Sequence, residues 1–259
     1  MTAHHPPVVL LDTHAHVVHS AVVGDDYELD VWLPPGYDSS STRYPVLYVL
    51  DAPMAFGLAA QSTMISMFAQ VVPEMIVVGI GQPLSTAYAW GPNRARDYAP
   101  VRVPDDDRSG HAAAFGECLR TELVPFVDQE YRTDSHDRGL WGHSFGGVFA
   151  LHSLLERPPL FTRFIATSPA VVEQGLAMLD PSRWPAPGSS LPARLFVSIG
   201  SADQEYRPHV EPFLAELAAR AYADLRVESA VLPGHGHVGA APAGFLAGLR
   251  SVFAPLAPA

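Results

Sequence analysis

The pentapeptide Gly142-His143-Ser144-Phe145-Gly146, followed by Gly147, constrains this chain more than any other stretch. It stands between a short apolar run ending in Leu140-Trp141 and a helical pattern that begins at Val148. A strand must therefore become a helix within a few residues. A serine in so sharp a turn is held in a strained backbone conformation with its hydroxyl raised above the sheet. Glycines are expected on both flanks because neighbouring side chains would collide there. The helix N-terminus beneath adds a positive dipole, and the N–H of Phe145 is aimed at the place where an oxyanion would develop beside Ser144. The competing interpretation is a glycine-rich turn with a bystander serine.

The rest of the chain supplies the sheet that such a turn needs. Short β-forming runs are expected at Tyr27–Leu33, Val46–Leu50, Met75–Ile80, Gly139–Trp141, Arg163–Ala166, Leu195–Ile199 and Arg226–Leu232. They alternate with helical patterns near Ala55–Gln70, Gly110–Tyr131, Phe145–Arg157, Pro208–Ala223 and Ala243–Phe253. This alternation predicts an α/β fold with a mostly parallel sheet. Two Pro- and Gly-rich stretches, Gln82–Asp107 and Asp180–Pro192, read as loops that overhang a site. Core-forming segments continue on both sides of them, so residues 1–259 are expected to form a single domain.

Composition narrows the function. Only 17% of residues are charged and the formal net charge is −11, with all 16 basic residues arginine. An acidic chain is a poor partner for nucleic acid, and without lysine no Schiff-base chemistry is available. The single cysteine, Cys118, permits no internal disulfide and sits in a helical apolar pattern, as a packed side chain would. No run approaches the roughly 18 apolar residues of a membrane span, and no leader is visible, so a cytoplasmic location is expected.

A nucleophilic serine needs a base and an acid, which in this kind of sheet follow in the order Ser, Asp or Glu, His. The run Leu195–Ile199 ends in Gly200-Ser201-Ala202-Asp203, with Glu205 two residues on. Either carboxylate could reach an imidazole, Asp203 being the first candidate and a turn or cap aspartate the plainer alternative. After Arg226–Leu232 the sequence reads Pro233-Gly234-His235-Gly236-His237. Strand geometry alone does not choose between the two histidines. As a metal-binding pair they lack further ligands at suggestive spacing.

Taken together, these residues resemble the putative-esterase (esterase D/Fes-like) family of α/β hydrolases, closest to its siderophore-esterase (Fes/IroE-like) branch. The resemblance rests on Leu33-Pro34-Pro35-Gly36-Tyr37, Tyr44 to Asp51, Val77 to Gly81, Arg94-Ala95-Arg96-Asp97-Tyr98-Ala99-Pro100, Glu122 to Phe126, Tyr131-Arg132-Thr133 and the serine turn. It implies an α/β-hydrolase fold with helices on both faces and no large lid domain. It also favours His237, because family members place a histidine eight residues before a phenylalanine and thirteen before an arginine, as His237, Phe245 and Arg250 do here. The family pattern likewise puts its acid at Asp203. One departure is Leu50-Asp51-Ala52-Pro53, where the family usually reads Leu-Asp-Gly. The second oxyanion donor normally comes from this loop, and Pro53 has no N–H, which leaves Ala52. Arg96 and Asp97 would shape the substrate-binding edge of the site, or else form an ion pair that braces the loop.

The implied activity is a serine esterase that cleaves a carboxylic ester through a Ser144–His237–Asp203 triad and an acyl-enzyme. It would act on a small-molecule ester such as a siderophore-type macrolactone or another bulky ester, with no metal or cofactor and no nucleic-acid or membrane partner. An acyltransferase with the same triad, and a catalytically silent binding or scaffold member of the fold, are the alternatives. Asp12-Thr13-His14-Ala15-His16 imitates the opening metal motif of a barrel amidohydrolase, but the strand–helix order argues against that fold. The stretch is expected to lead into the first strand, with His14, His16 and His19 at its surface or edge. Asp105-Asp106-Asp107 is expected in a solvated loop, and His4 and His5 in a tail.

Overall fold

A computed structural model of the chain describes residues 9–83, 90–171 and 178–255, without the side chains of residues 90–92. His4 and His5 lie outside the described residues. Eight strands form one sheet: β1 (Thr13–Ser20), β2 (Asp25–Trp32), β3 (Tyr44–Leu50), β4 (Ile76–Gly81), β5 (Thr133–His143), β6 (Arg163–Thr167), β7 (Ser190–Gly200) and β8 (Ala223–Leu232). Their spatial order is β1-β2-β4-β3-β5-β6-β7-β8. The first two join antiparallel, and β4 through β8 run parallel. This is the α/β-hydrolase fold expected from the sequence.

The central strands are apolar along their whole length because both faces are covered. In β3, Val46, Tyr48 and Leu50 enter one core and Leu47 and Val49 the other, following the two-residue period of a strand. Helices α1 (Ala52–Phe68) and α7 (Ala240–Phe253) cover the second face. The first face carries α3 (Ala112–Cys118), α4 (Val124–Glu130), α5 (Phe145–Leu155) and α6 (Arg207–Ala219). Helix α2 (Trp90–Tyr98) lies beside α3 and α5. Cys118 is buried and unpaired, as its helical setting implied.

Three stretches differ from the sequence expectation. The residues expected to lead into a first strand form one, β1, an antiparallel edge strand. Its alternate side chains stay exposed, so no apolar face marks it. Within the stretch expected as a loop, residues 90–98 are helical. The helix expected over Gly110–Tyr131 begins at Ala112 and widens at Leu119–Leu123 into a π-turn just before Pro125, whose missing N–H suits a break in the regular hydrogen-bond ladder. Asp105–Asp107 lie in turns, largely exposed.

Two helical glycines separate propensity from packing. A Cβ at Gly248 on α7 would fall 2.4 Å from Ile165 Cγ2 and 2.8 Å from Phe196 Cδ1, whereas one at Gly57 on α1 would meet nothing within 4 Å. Helix propensity favours alanine at both sites by about 0.5–1 kcal/mol. Overpacking a core costs about 1–3 kcal/mol, which outweighs that gain only at Gly248. Gly57→Ala is therefore expected to raise the denaturation midpoint in urea and Gly248→Ala to lower it, with m unchanged in both.

Candidate active site

The sheet delivers three side chains to its C-terminal edge. Ser144 follows β5, Asp203 follows β7 and His237 follows β8. His237 Nε2 lies 3.0 Å from Ser144 Oγ, and its Nδ1 lies 2.8 Å from Asp203 Oδ2. Asp203 is buried (4% exposed), so its carboxylate meets the imidazole away from water. His235 turns elsewhere: its Nδ1 pairs with the Pro233 carbonyl, 2.8 Å away. Glu205 is exposed and hydrogen-bonded to Tyr206 rather than to His237. The geometry thus brings together Ser144, His237 and Asp203, and leaves His235 and Glu205 aside.

Backbone detail explains why each arrives where it does. Ser144 has φ 60° and ψ −121°, a strained conformation for a residue with a side chain. Its N–H donates to Thr167 O, while its carbonyl accepts from Val148 and Ala170 N–H. A Cβ at Gly142 would lie 2.0 Å from Gly146 O, and one at Gly147 3.0 Å from Pro169 Cα. At Gly146 the nearest atom would be 3.5 Å away, an ordinary contact. The steric demand for glycine therefore falls on both flanks as expected, at Gly142 and Gly147 rather than at Gly146. The acid and base loops are laced together: Ala202 N–H donates to His235 O, Ser201 N–H to Leu232 O, and Gly234 N–H to Ser201 Oγ. A side chain at Gly200 would strike His235 O at 2.3 Å, so this close approach requires glycine.

Phe145 is the first residue of α5, directly after Ser144, and Ala52 is the first residue of α1, directly after β3. Because β3 and β5 are neighbours, the two helix N-termini flank the serine. Asp51, between β3 and α1, sits in the left-handed region at φ 60°. Both its oxygens are held by Arg94 of α2, with Nε at 2.7 Å and Nη2 at 3.0 Å, and the same Nη2 donates to His143 O at 3.2 Å. One guanidinium thereby ties the loop that carries Ala52 to the turn that carries Ser144. Burial works against the charge of Arg94, but Asp51 outweighs it and keeps the guanidinium protonated.

Arg96 points away from this pair, as residues two apart on a helix must. It grips Asp97 (2.7 Å) and Asp25 (2.8 Å), and Asp97 also accepts from Tyr27 OH at 2.9 Å. Arg96 thus occupies the bracing arrangement, whereas Asp97 also lines a cleft of about 330 Å³. Tyr27, Pro53, Met54, Ile80 and Tyr98 form apolar walls of that cleft, and Asp51 and Arg94 are its border with the serine turn. Sequence reasoning singled out Arg96 and Asp97 and passed over the Arg94–Asp51 pair. The i, i+2 spacing of the two arginines would have flagged the choice had residues 90–98 been read as a helix.

Two rings pack on His237. Tyr206 packs on His237 with centroids 4.7 Å apart, and His143 packs on it at 4.8 Å. Among the described residues His143 Nε2 is buried without a hydrogen-bond partner, so a proton there would be a poorly compensated buried charge. Burial, and then the neighbouring His237, push the His143 pKa down to about 4. Among the described residues, no cluster of three or more His, Cys, Asp or Glu side chains could hold a metal ion, and no helix is long and apolar enough to cross a membrane.

Comparison with known proteins agrees with this architecture. Residues 20–238 match the family described as Putative esterase. Ferri-bacillibactin esterase BesA of Bacillus subtilis is 28% identical over 236 residues, covering 83% of this chain and 81% of that protein. The apo-salmochelin esterase of Escherichia coli is 28% identical over 184 residues, 67% of this chain and 57% of that one. Among solved structures, the BES protein of Bacillus cereus superposes with a TM-score of 0.83 at 22% identity, over 98% of this chain and all of the other. An IroE-like serine hydrolase of Shewanella oneidensis gives 0.80 at 24% identity, over 92% and 79% of the two chains.

His143 leaves a pH signature. Its folded pKa of about 4 lies below the ordinary value of 6.5, so its contribution to stability is full above pH 6.5 and is lost as pH falls through 4. A shift of that size is worth roughly 3 kcal/mol. Thermal unfolding between pH 7 and pH 4 is expected to show a shallower loss of Tm for His143→Gln than for the wild type. Equal slopes would mean that His143 takes up a proton freely in the folded protein.

With a match spanning most of its length, the chain belongs to the putative-esterase family and is a carboxylic ester hydrolase.

Proposed function

We propose that Ser144, His237 and Asp203 act as a catalytic triad that cleaves a carboxylic ester through an acyl-enzyme. The observation that carries this reading is the continuous hydrogen-bond chain from Ser144 Oγ through His237 to the buried Asp203 carboxylate. His237 Nε2 takes the hydroxyl proton as Oγ attacks the ester carbonyl. Asp203 fixes the tautomer that leaves Nε2 free and stabilises the imidazolium that forms. His237 then delivers the proton to the leaving alcohol. Water, activated by the same imidazole, releases the acid and restores Ser144.

The N–H groups of Phe145 and Ala52 receive the oxyanion, supported by the N-terminal ends of α5 and α1. The Asp51–Arg94–His143 bonds hold these two donors in register, so the hole is organised before substrate arrives. Tyr206 and His143 keep the imidazole plane fixed between them. The named activities of BesA and of the salmochelin esterase support a siderophore-type lactone or a similarly bulky ester as substrate.

Hydrolysis of short-chain 4-nitrophenyl esters tests the assignment. Ser144→Ala and His237→Ala are each expected to lower kcat/KM by about a thousandfold or more. His235→Ala should stay within about threefold of wild type, and Asp203→Asn should cost far more than Glu205→Gln, because the replaced amide supports the wrong tautomer. Activity that survives Ser144→Ala overturns the mechanism. Product analysis with added alcohols distinguishes hydrolysis from acyl transfer.

A further inference from the structure

The cleft beside the serine turn has an electrostatic character that bears on which esters can enter it. Among the described residues its one lining cation, Arg94, is engaged by both oxygens of Asp51. A second lining carboxylate, Asp97, is held by Arg96, which is shared with Asp25. An adjoining cleft, which shares Pro53, Gly81 and Gln82, adds Glu28 and Asp30 from β2. Among the described charged residues that line these two clefts or bond to their linings, carboxylates therefore outnumber guanidiniums. Apart from the amides of Gln82 and Asn93, the remaining walls are apolar or aromatic. Met54 stands 65% exposed on the cleft, and Val238, next to His237, is 71% exposed.

We infer that this site, read as the serine esterase proposed above, selects esters whose acyl group is uncharged and apolar and discriminates against anionic ones. Three features act together. An anion entering the cleft meets a surplus of negative charge. It also loses water to walls that are mostly apolar and return few hydrogen bonds. Finally, the Arg94 guanidinium already has a carboxylate partner, so an incoming carboxylate would have to compete with Asp51. A neutral aliphatic or aromatic acyl group suffers none of these penalties and buries apolar area against Pro53, Met54, Ile80 and Tyr98. By the same reasoning, a metal-free neutral lactone is a better substrate than a multiply anionic metal complex of the same ligand.

Two esters that differ only in charge provide the test: methyl 4-nitrophenyl adipate, which is neutral, and 4-nitrophenyl hydrogen adipate, which is anionic at neutral pH. At low ionic strength the neutral ester is expected to show a kcat/KM about tenfold or more higher, the size of effect that a few surface charges produce at several ångströms. The ratio should shrink as salt rises to about 0.5 M, and shrink again in a Glu28→Gln/Asp30→Asn double variant. An anionic ester cleaved as fast as the neutral one overturns the inference, as does a preference that neither salt nor the double variant changes. Both results would leave the esterase reading intact. If neither ester turns over, protection of Ser144 from a fluorophosphonate by each compound gives the same comparison. If Ser144 is not labelled at all, the esterase reading itself has failed.

Discussion

The backbone of Ser144 stands at φ 60°, ψ −121°, and the rest of the site takes its position from that strained residue. Such a conformation costs on the order of 1–3 kcal/mol and persists only where the surroundings determine it more than once. Here its N–H is bonded to β6 through Thr167 O, its carbonyl is bonded on both sides, and Gly142 admits Gly146 O at a distance no other residue would allow. Thr167 is the pivot. Its hydroxyl also meets Trp141 Nε1, Gly142 O and His143 Nδ1 at 3.2–3.3 Å. The parallel order β5-β6-β7-β8 then sets the distances, because acid and base leave the same edge of the same sheet two and three strands away.

A second tie acts on the opposite side. Asp51, itself left-handed, turns the chain from β3 into α1, and Arg94 fixes that turn to His143. A buried ion pair of this kind contributes little net stability once desolvation is counted, but losing one partner leaves an unpaired buried charge. What the pair supplies is geometry: two helix N-termini held to one point. His143 fits the same logic: in the proposed mechanism its neutral ring puts no second cation against His237 when that imidazole takes up a proton.

The parts of this arrangement legible in the sequence are those written in local chemistry. The glycines of the serine turn, the apolar strands buried on both faces and the order serine, acid, histidine each leave a pattern within a few residues. Strand β1 left none, because Thr13–Ser20 alternates histidines with small and β-branched residues and buries almost nothing. Helix α2 was hidden for a different reason. Residues 90–98 contain Gly91, Pro92 and Asn93, so local propensity argues against a helix. Arg94 and Arg96 tie it to Asp51 and Asp25, dozens of residues away. The choice between His235 and His237 was beyond strand geometry and came from family spacing. In the structure it is made by Gly200, whose lack of a side chain lets the His235 carbonyl approach and turns the His235 ring aside.

Catalytic geometry and substrate choice are thus written in different parts of the molecule. The proposed triad sits on the sheet topology, and an esterase, a transferase or a lactonase could share every distance in it. The flank of the cleft is built from β2, α1 and α2, and among its charged side chains it is Arg94, paired with Asp51, that is bonded to the serine turn. A carboxylate at Asp30, half-buried on β2 with its pKa pushed up to about 6 by burial and by Glu28, is an expensive residue to keep in that place. It does nothing for the triad. Its effect falls on whatever approaches the cleft, and an acidic flank around a neutralised arginine repels anions while leaving a neutral acyl group to be judged by shape and apolar contact alone.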